Sequence, residues 1–325
     1  MKNKYIADFK TGEDLTDFFM LKAVSVRTGS NKKNYLDMTL GDKTGEIAAK
    51  KWDLADEEMN TAKKYKEGSL IKIRGTVTEW NGKKQLKVLR IRMSDPHDEL
   101  SLRDFIKTAP EPPEAMYEYI LQAAEHIADA DLRQLTVMNL REYKDKLMYY
   151  PAASKNHHAE MAGLLWHIKR MLMTGEKICQ VYDFLDADLI TCGVILHDIQ
   201  KINEIRSNEL GISDGYSVEG QLLGHIVMAV RDLGRQMEDL GFPKEKALLV
   251  EHMVLAHHYE PEFGSPKKPL FPEAEILHYL DIIDARMYDM EEALRGTQEG
   301  DFTERIWTLE NRRLYKPHHK EGAHD

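Results

Sequence analysis

The chain has 325 residues, 42% of them hydrophobic and 31% charged, with a net charge of −10. That balance belongs to a globular chain with room for two domains, not to a fibrous or low-complexity one. No signal-peptide pattern opens the sequence and no apolar run is long enough to cross a bilayer, so secretion and membrane insertion are not expected.

Its two cysteines, Cys179 and Cys192, lie in apolar helical context and read as buried free thiols of a reducing compartment, which points to the cytoplasm. The charge is unevenly spread. Residues 1–95 carry 20 Lys and Arg against 14 Asp and Glu, whereas the remainder carries 25 against 41. A basic first part on an acidic protein is expected to meet a polyanion.

Residues 15–93 read as five short strands. Phe19–Arg27 is mostly apolar. Asn34–Leu40 alternates, with Leu36, Met38 and Leu40 on one face. The cluster 41–45 makes a turn, and Glu46–Trp52 is the third strand. Asp53–Glu67 is polar with helical spacing. Leu70–Trp80 alternates strictly, Asn81-Gly82 signals a hairpin turn, and Gln85–Met93 closes the set with a phase slip at Val88-Leu89 that suggests a bulge. Five strands with a helix between the third and fourth is the order of an OB-fold barrel. Such a barrel offers single-stranded nucleic acid basic side chains for phosphates and rings for base stacking. Lys72, Arg74, Lys83, Lys84, Lys87, Arg90 and Arg92 are candidates for the first role, and Tyr35, Trp52 and Trp80 for the second.

Prolines between Asp95 and Pro113 mark residues 96–113 as a linker, with the domain boundary near residue 100. From residue 114 onward the chain is helical. Amphipathic or apolar segments are expected over 116–127, 132–148, 158–181, 187–199, 217–240, 244–260 and 273–294. Residues 208–215 are expected as a loop and residues 316–325 as a disordered tail.

The apolar run of Thr191-Cys-Gly-Val-Ile-Leu-His-Asp-Ile-Gln-Lys201 ends abruptly in His197-Asp198. An imidazole and a carboxylate at the end of a buried segment are costly unless something satisfies them, and a divalent metal satisfies both. His167, His225, His257, His258 and Asp281 sit beside apolar stripes on neighbouring helices. Mixed His and carboxylate ligands suit Mn²⁺, Fe²⁺, Co²⁺ or Zn²⁺, and no Cys pair has zinc-finger spacing. Singly, each His fits a satisfied helix residue; His126, His252 and His278 read that way, and His157 and His158 are left undecided.

The order His, His-Asp, His, His-His, Asp on helices resembles the HD superfamily of metal-dependent phosphohydrolases. With the OB-type stretch 15–92, the segments Met161-Ala-Gly-Leu-Leu-Trp-His167, Gly220-Gln-Leu-Leu-Gly-His225, His257-His-Tyr-Glu-Pro-Glu-Phe-Gly-Ser-Pro266 and Trp307–Tyr315 resemble the YhaM-type 3′→5′ exoribonucleases. The resemblance implies an OB domain (1–95) followed by an all-α HD domain (114–315). It also implies metal ligands at His167, His197, Asp198, His225, His257, His258 and Asp281, with Asp284 as the alternative last carboxylate. Asp198 and Lys201 are the catalytic candidates. Many family members hold Gly before that lysine, where this chain has Gln200. The implied cofactor is divalent, Mn²⁺ foremost, as one or two ions. The implied substrate is single-stranded RNA, with single-stranded DNA as a second. A small-nucleotide phosphohydrolase and a non-catalytic strand-binding protein are the competing functions. The oligomeric state, including a homo-oligomer, is left open.

Overall fold

A computed structural model of the chain describes residues 2–29, 33–54, 64–154 and 158–318. The chain divides into two compact units, Met1–Thr108 and Ala109–Asp325.

The first unit is a closed five-stranded barrel in the order β1-β2-β3-β5-β4. Its strands are β1 (Asp14–Thr28), β2 (Asn34–Asp42), β3 (Gly45–Lys51), β4 (Leu70–Trp80) and β5 (Lys83–Met93). Strand β1 is long enough to serve two neighbours. Its first half pairs with β4 and its second with β2, both antiparallel, while the parallel β3–β5 pair closes the ring. This is the OB-fold. The alternating apolar faces turn inward: Phe19, Leu21, Leu36, Leu40, Ile71, Ile73, Val77 and Leu86 are essentially inaccessible. The helix expected over 53–67 falls mostly outside the described residues.

The turn at Asn81-Gly82 has positive φ at both positions, as the tightest hairpins require. The register jumps from Arg74↔Arg90 to Gly75↔Val88, so Leu89 is the extra residue of a bulge on β5. A Cβ on Gly75 would lie 2.5 Å from the Lys87 carbonyl oxygen, which is why a glycine faces the bulge. Residues 96–108, expected within a linker, belong to the barrel unit instead. Phe105 is wholly buried, and Asp104 accepts a hydrogen bond from the Tyr5 hydroxyl at 2.7 Å.

The second unit is a helical bundle. Its helices are α1 (Pro113–Glu125), α2 (Ala130–Glu142), α3 (Lys144–Leu147), α4 (Gly163–Val181), α5 (Ala187–Leu196), α6 (Lys201–Glu204), α7 (Val218–Asp239), α8 (Lys244–Ala256) and α9 (Pro272–Arg295). Helix α5 is the axis. Seven of its ten residues are buried, including Cys192, whose thiol burial pushes up to about 12. Three expectations fail locally. Helix α4 starts at Gly163 and not at His158, because Ala162 takes a left-handed conformation (φ 58). The expected loop 208–215 contains part of a small hairpin, β6 (Ile205–Ser207) against β7 (Ser213–Tyr216). Lys316, expected in a disordered tail, donates from Nζ to the carbonyls of Leu294 (3.0 Å) and Thr297 (2.8 Å). Residues 319–325 lie outside the described residues.

The glycine opposite the bulge yields a test. Gly75→Ala should destabilise the barrel by about 1–3 kcal/mol, the usual cost of overpacking. Hydrogen exchange should show the loss in barrel amides, with protection in the helical unit unchanged. Unchanged protection at β4 and β5 would show that the bulge tolerates a methyl group.

A candidate metal centre

Helix α5 delivers His197 and Asp198 to the middle of the bundle. Asp198 is 1% exposed and His197 is inaccessible. A carboxylate at a helix C-terminus meets the negative end of the backbone dipole, so its charge needs several compensating partners. Imidazoles from α4, α7 and the end of α8 supply them. Oδ2 of Asp198 lies 3.3 Å from His197 Nε2 and 3.7 Å from His167 Nε2, and accepts from Lys201 Nζ at 2.6 Å. Oδ1 faces His225 Nε2 at 3.3 Å and His257 Nε2 at 3.8 Å. Asp281, on α9, brings Oδ1 to 3.4 Å from His167 Nε2 and Oδ2 to 4.0 Å from His258 Nε2. All seven residues expected as ligands therefore meet in one buried cluster.

The opposite nitrogen of each ring is fixed from outside. Nδ1 of His197 donates to the Val194 carbonyl (2.9 Å), of His257 to Val254 (2.7 Å), and of His258 to Phe263 (2.6 Å). His225 Nδ1 pairs with Glu204 Oε2 at 3.0 Å, and His167 Nδ1 with Asp284 Oδ2 at 2.7 Å. A carbonyl or carboxylate can only accept, so each Nδ1 carries a proton and each Nε2 is turned inward. Metal-binding histidines are held in this way.

Protonation follows the same pattern. Burial opposes charge on Asp198 and Asp281, but the facing imidazoles, with Lys201 beside Asp198, outweigh it and hold both carboxyls well below their usual range. Burial and neighbouring rings keep His257 neutral, and burial does most of this for His258. Burial also opposes a charged His167, yet Asp281 and Asp284 outweigh it and raise the ring to about 10. Nε2 of His197, His225 and His257 and Oδ1 of Asp198 are buried without a hydrogen bond among the described residues. Convergent buried acceptors of this kind are costly unless a cation or water meets them. The inner donors form overlapping groups, His167 with His197 and Asp198, His197 with His257 and Asp281, and Asp198 with His225, His257 and His258, each within 4.8 Å. This donor set fits divalent cations.

Several supporting residues were not legible in the sequence. Glu204 accepts the backbone N–H of His225 at 3.0 Å as well as pairing with its ring, across 21 positions of chain. Gly224 makes this approach feasible. Its φ of 71° and ψ of 157° lie in a region essentially closed to other residues and turn the chain just before His225. Asp281 and Asp284 share one face of α9, so spacing alone left them as alternatives. The structure puts Asp281 against the inner ring and Asp284 behind His167. Gln200 has ordinary right-handed backbone (φ −78°), so no glycine is required there.

On the barrel, Tyr35 and Trp52 stack with centroids 4.4 Å apart, and Lys50 Nζ lies 5.6 Å from both rings. Lys50 is in register with Lys87 across β3 and β5, and Arg74 with Arg90 across β4 and β5. Lys72 sits over the Phe18 ring at 4.8 Å, and Trp80 is 68% exposed at the hairpin. The Lys84 ammonium is tied to the Phe9 carbonyl at 2.5 Å, and Arg92 is bridged to Asp98 at 2.7 Å. The sequence reading missed Lys50, the first of two adjacent lysines that end β3.

Barrel and bundle together define a nucleic-acid-binding OB domain joined to an HD domain. Family models agree: an OB-fold nucleic acid binding domain matches residues 22–93 and an HD domain matches residues 164–286. The chain is 39% identical, over 97% of its length and 95% of the relative's, to a protein named 3′-5′ exoribonuclease YhaM from Geobacillus sp. (strain WCH70). It belongs to the YhaM 3′-5′ exoribonuclease family. Among solved structures, a replication protein A domain from Methanococcus maripaludis is 22% identical, with 28% of this chain and 94% of that chain covered at a TM-score of 0.24. A replication factor A related protein from Methanobacterium thermoautotrophicum is 21% identical, with 29% and 91% covered and a TM-score of 0.24. No helix among the described residues is long and apolar enough to cross a membrane.

The turn at Gly224 can be tested. Gly224→Ala should cost about 1–3 kcal/mol, the range for a residue forced into such a backbone conformation. The melting temperature should fall, and the stabilisation produced by added Mn²⁺ should shrink because His225 is mis-aimed. An unchanged melting temperature and an unchanged Mn²⁺ effect would contradict this role.

Proposed function

We propose that the chain is a cytoplasmic, divalent-metal-dependent 3′→5′ exonuclease. It degrades single-stranded RNA, and single-stranded DNA as a second substrate, to nucleoside 5′-monophosphates. The observation that carries the reading is Asp198: one buried carboxylate with a separate set of inward-turned donors on each oxygen. A near-full-length relative named as an exoribonuclease supports the polarity and substrate.

Asp198 is the shared ligand. His167 and His197 complete one side, His225, His257 and His258 the other, and Asp281 adds charge between His167 and His258. These residues would hold one or two divalent cations, Mn²⁺ foremost, which would supply a lowered pKa for water and positive charge toward the phosphate. Lys201 keeps an ammonium beside the same carboxylate, raised by Asp198 against the effect of burial, and is placed to balance phosphate oxygens. Cys192 cannot supply a thiolate at neutral pH, since burial pushes its thiol up to about 12. Water is the nucleophile in this reading. On the barrel, Tyr35 and Trp80 stack bases while Lys72, Arg74 and Lys87 meet phosphates. The ammonium of Lys84 would first have to leave the Phe9 carbonyl.

A 5′-labelled oligoribonucleotide with Mn²⁺ should give a one-nucleotide ladder, and a circular strand should resist. Asp198→Asn should lose more than the about 100-fold typical of an outer-shell change, and a chelator should abolish activity reversibly. An inert oligomer beside a hydrolysed mononucleotide would replace the exonuclease with a small-nucleotide hydrolase.

The barrel surface gives a second expectation. Tyr35→Ala should weaken binding of a long single strand by about 1–3 kcal/mol, the measured worth of a base stacked on an aromatic ring. Lys87→Ala should reduce the slope of log affinity against log salt by about one. Hydrolysis of a dinucleotide should be unaffected by either. Wild-type affinity for the long strand at two salt concentrations would remove the barrel from substrate capture.

A further inference from the structure

Behind the ring that faces Asp198 lies a second buried cluster that the proposed reaction does not use. Its centre is Asp284, 4% exposed. One oxygen, Oδ2, lies 2.7 Å from His167 Nδ1 and 2.7 Å from His158 Nε2. The other, Oδ1, is 2.7 Å from Arg170 Nε. His158 is inaccessible and packs its ring 4.1 Å from the Tyr288 ring, with Glu160 Oε1 3.6 Å from its other nitrogen.

The backbone is shaped to hold His158 there. Its φ is 53°, uncommon for a residue with a side chain. The next helix begins on a glycine, and a Cβ on Gly163 would fall 2.1 Å from the His158 carbonyl oxygen.

His158, His167 and Asp284 also have the composition of a metal site. The distances decide against it. Two ligands bound at right angles to one ion, with bonds of about 2.1 Å, lie about 3 Å apart or more. Here both nitrogens sit at hydrogen-bond distance from a single oxygen.

We propose that Asp284 is a positioning residue for His167, clamped by His158 and Arg170. It fixes the His167 ring through Nδ1–H, and so holds Nε2 toward Asp198 and Asp281. An imidazole left to itself has two broad orientations about its outer torsion. The clamp selects the one that presents nitrogen to the inner ring. The inference rests on the metal-binding reading of that ring, and the experiment separates the two.

The measurement is Mn²⁺ binding to the full-length protein, with stoichiometry at saturation by elemental analysis and affinity by titration. Binding to the wild type tests the metal reading. The ratio of variant to wild type tests the clamp. Asp284→Asn should keep the wild-type number of ions and bind them about 10–100-fold more weakly, the usual effect of losing an outer-shell partner. Asp281→Asn, in contact with the inner ring, is the comparator and should lower stoichiometry or affinity further. Since Asp284→Asn turns an amide toward Arg170 and can upset folding, a second pair supports the test. His158→Ala should weaken Mn²⁺ affinity, and His158→Gln, which restores an N–H to Asp284, should recover most of it. Wild-type affinity in Asp284→Asn, an ion lost at saturation in that variant, or equal effects of Ala and Gln at His158 would each overturn the clamp. No Mn²⁺ bound by the wild type would overturn the metal reading along with it.

Discussion

Burial of the Asp198 carboxylate is the constraint on which the helical unit depends. The group is held at the C-terminal end of an apolar helix with all but 1% of its surface removed from solvent. An uncompensated charge there would be destabilising by several kcal/mol. Four imidazoles and one ammonium within 4 Å provide the compensation. They arrive from five helical segments, between His167 and His257. The arrangement of α4, α7 and α8 around α5 can be understood as the packing that lets those side chains converge.

Convergence alone would not make a binding site, because imidazoles can satisfy carboxylates directly. The outer contacts fix which nitrogen of each ring faces inward. Backbone carbonyls at Val194, Val254 and Phe263, and the carboxylates of Glu204 and Asp284, take the Nδ1 side of each ring. The Nε2 atoms are left facing the Asp198 and Asp281 carboxylates across 3.3–4.0 Å. Ionised carboxylates beside His257 and His258, which burial keeps neutral, are protonation states a divalent ion needs. Under the proposed function, cations held there would offset the charge of an acidic domain where a phosphodiester enters.

Much of this was legible in the sequence, for physical reasons that differ by element. Strict alternation over Leu70–Trp80 reproduces the strand to the residue, because one face is core and the other solvent. The start of β1 was missed because Asp17 looks polar. It is in fact buried, accepting the backbone N–H groups of Asn3 and Lys4 at 3.1 and 2.7 Å. The seven inner residues stood out as distinctive side chains next to apolar stripes, but it was the resemblance to the HD superfamily that joined them into one ligand set. Residue spacing could not name Glu204, whose role depends on a non-helical glycine 20 positions later. Nor could it separate Asp281 from Asp284, since residues three apart share a helix face and only packing distinguishes inner from outer. His158 was undecided for a related reason: a left-handed Ala162 has no signature in sequence.

The central proposal is that the Asp198 carboxylate anchors one or two divalent cations. It is tested most directly by a crystal soaked in Mn²⁺ and measured at the manganese absorption edge. The account predicts an anomalous peak beside the Asp198 carboxylate or, where two ions bind, a pair about 3.5–4 Å apart as in other two-metal sites. One of the pair would lie among His167 and His197, the other among His225, His257 and His258. A peak between His158 and Asp284 with none beside Asp198 would contradict it.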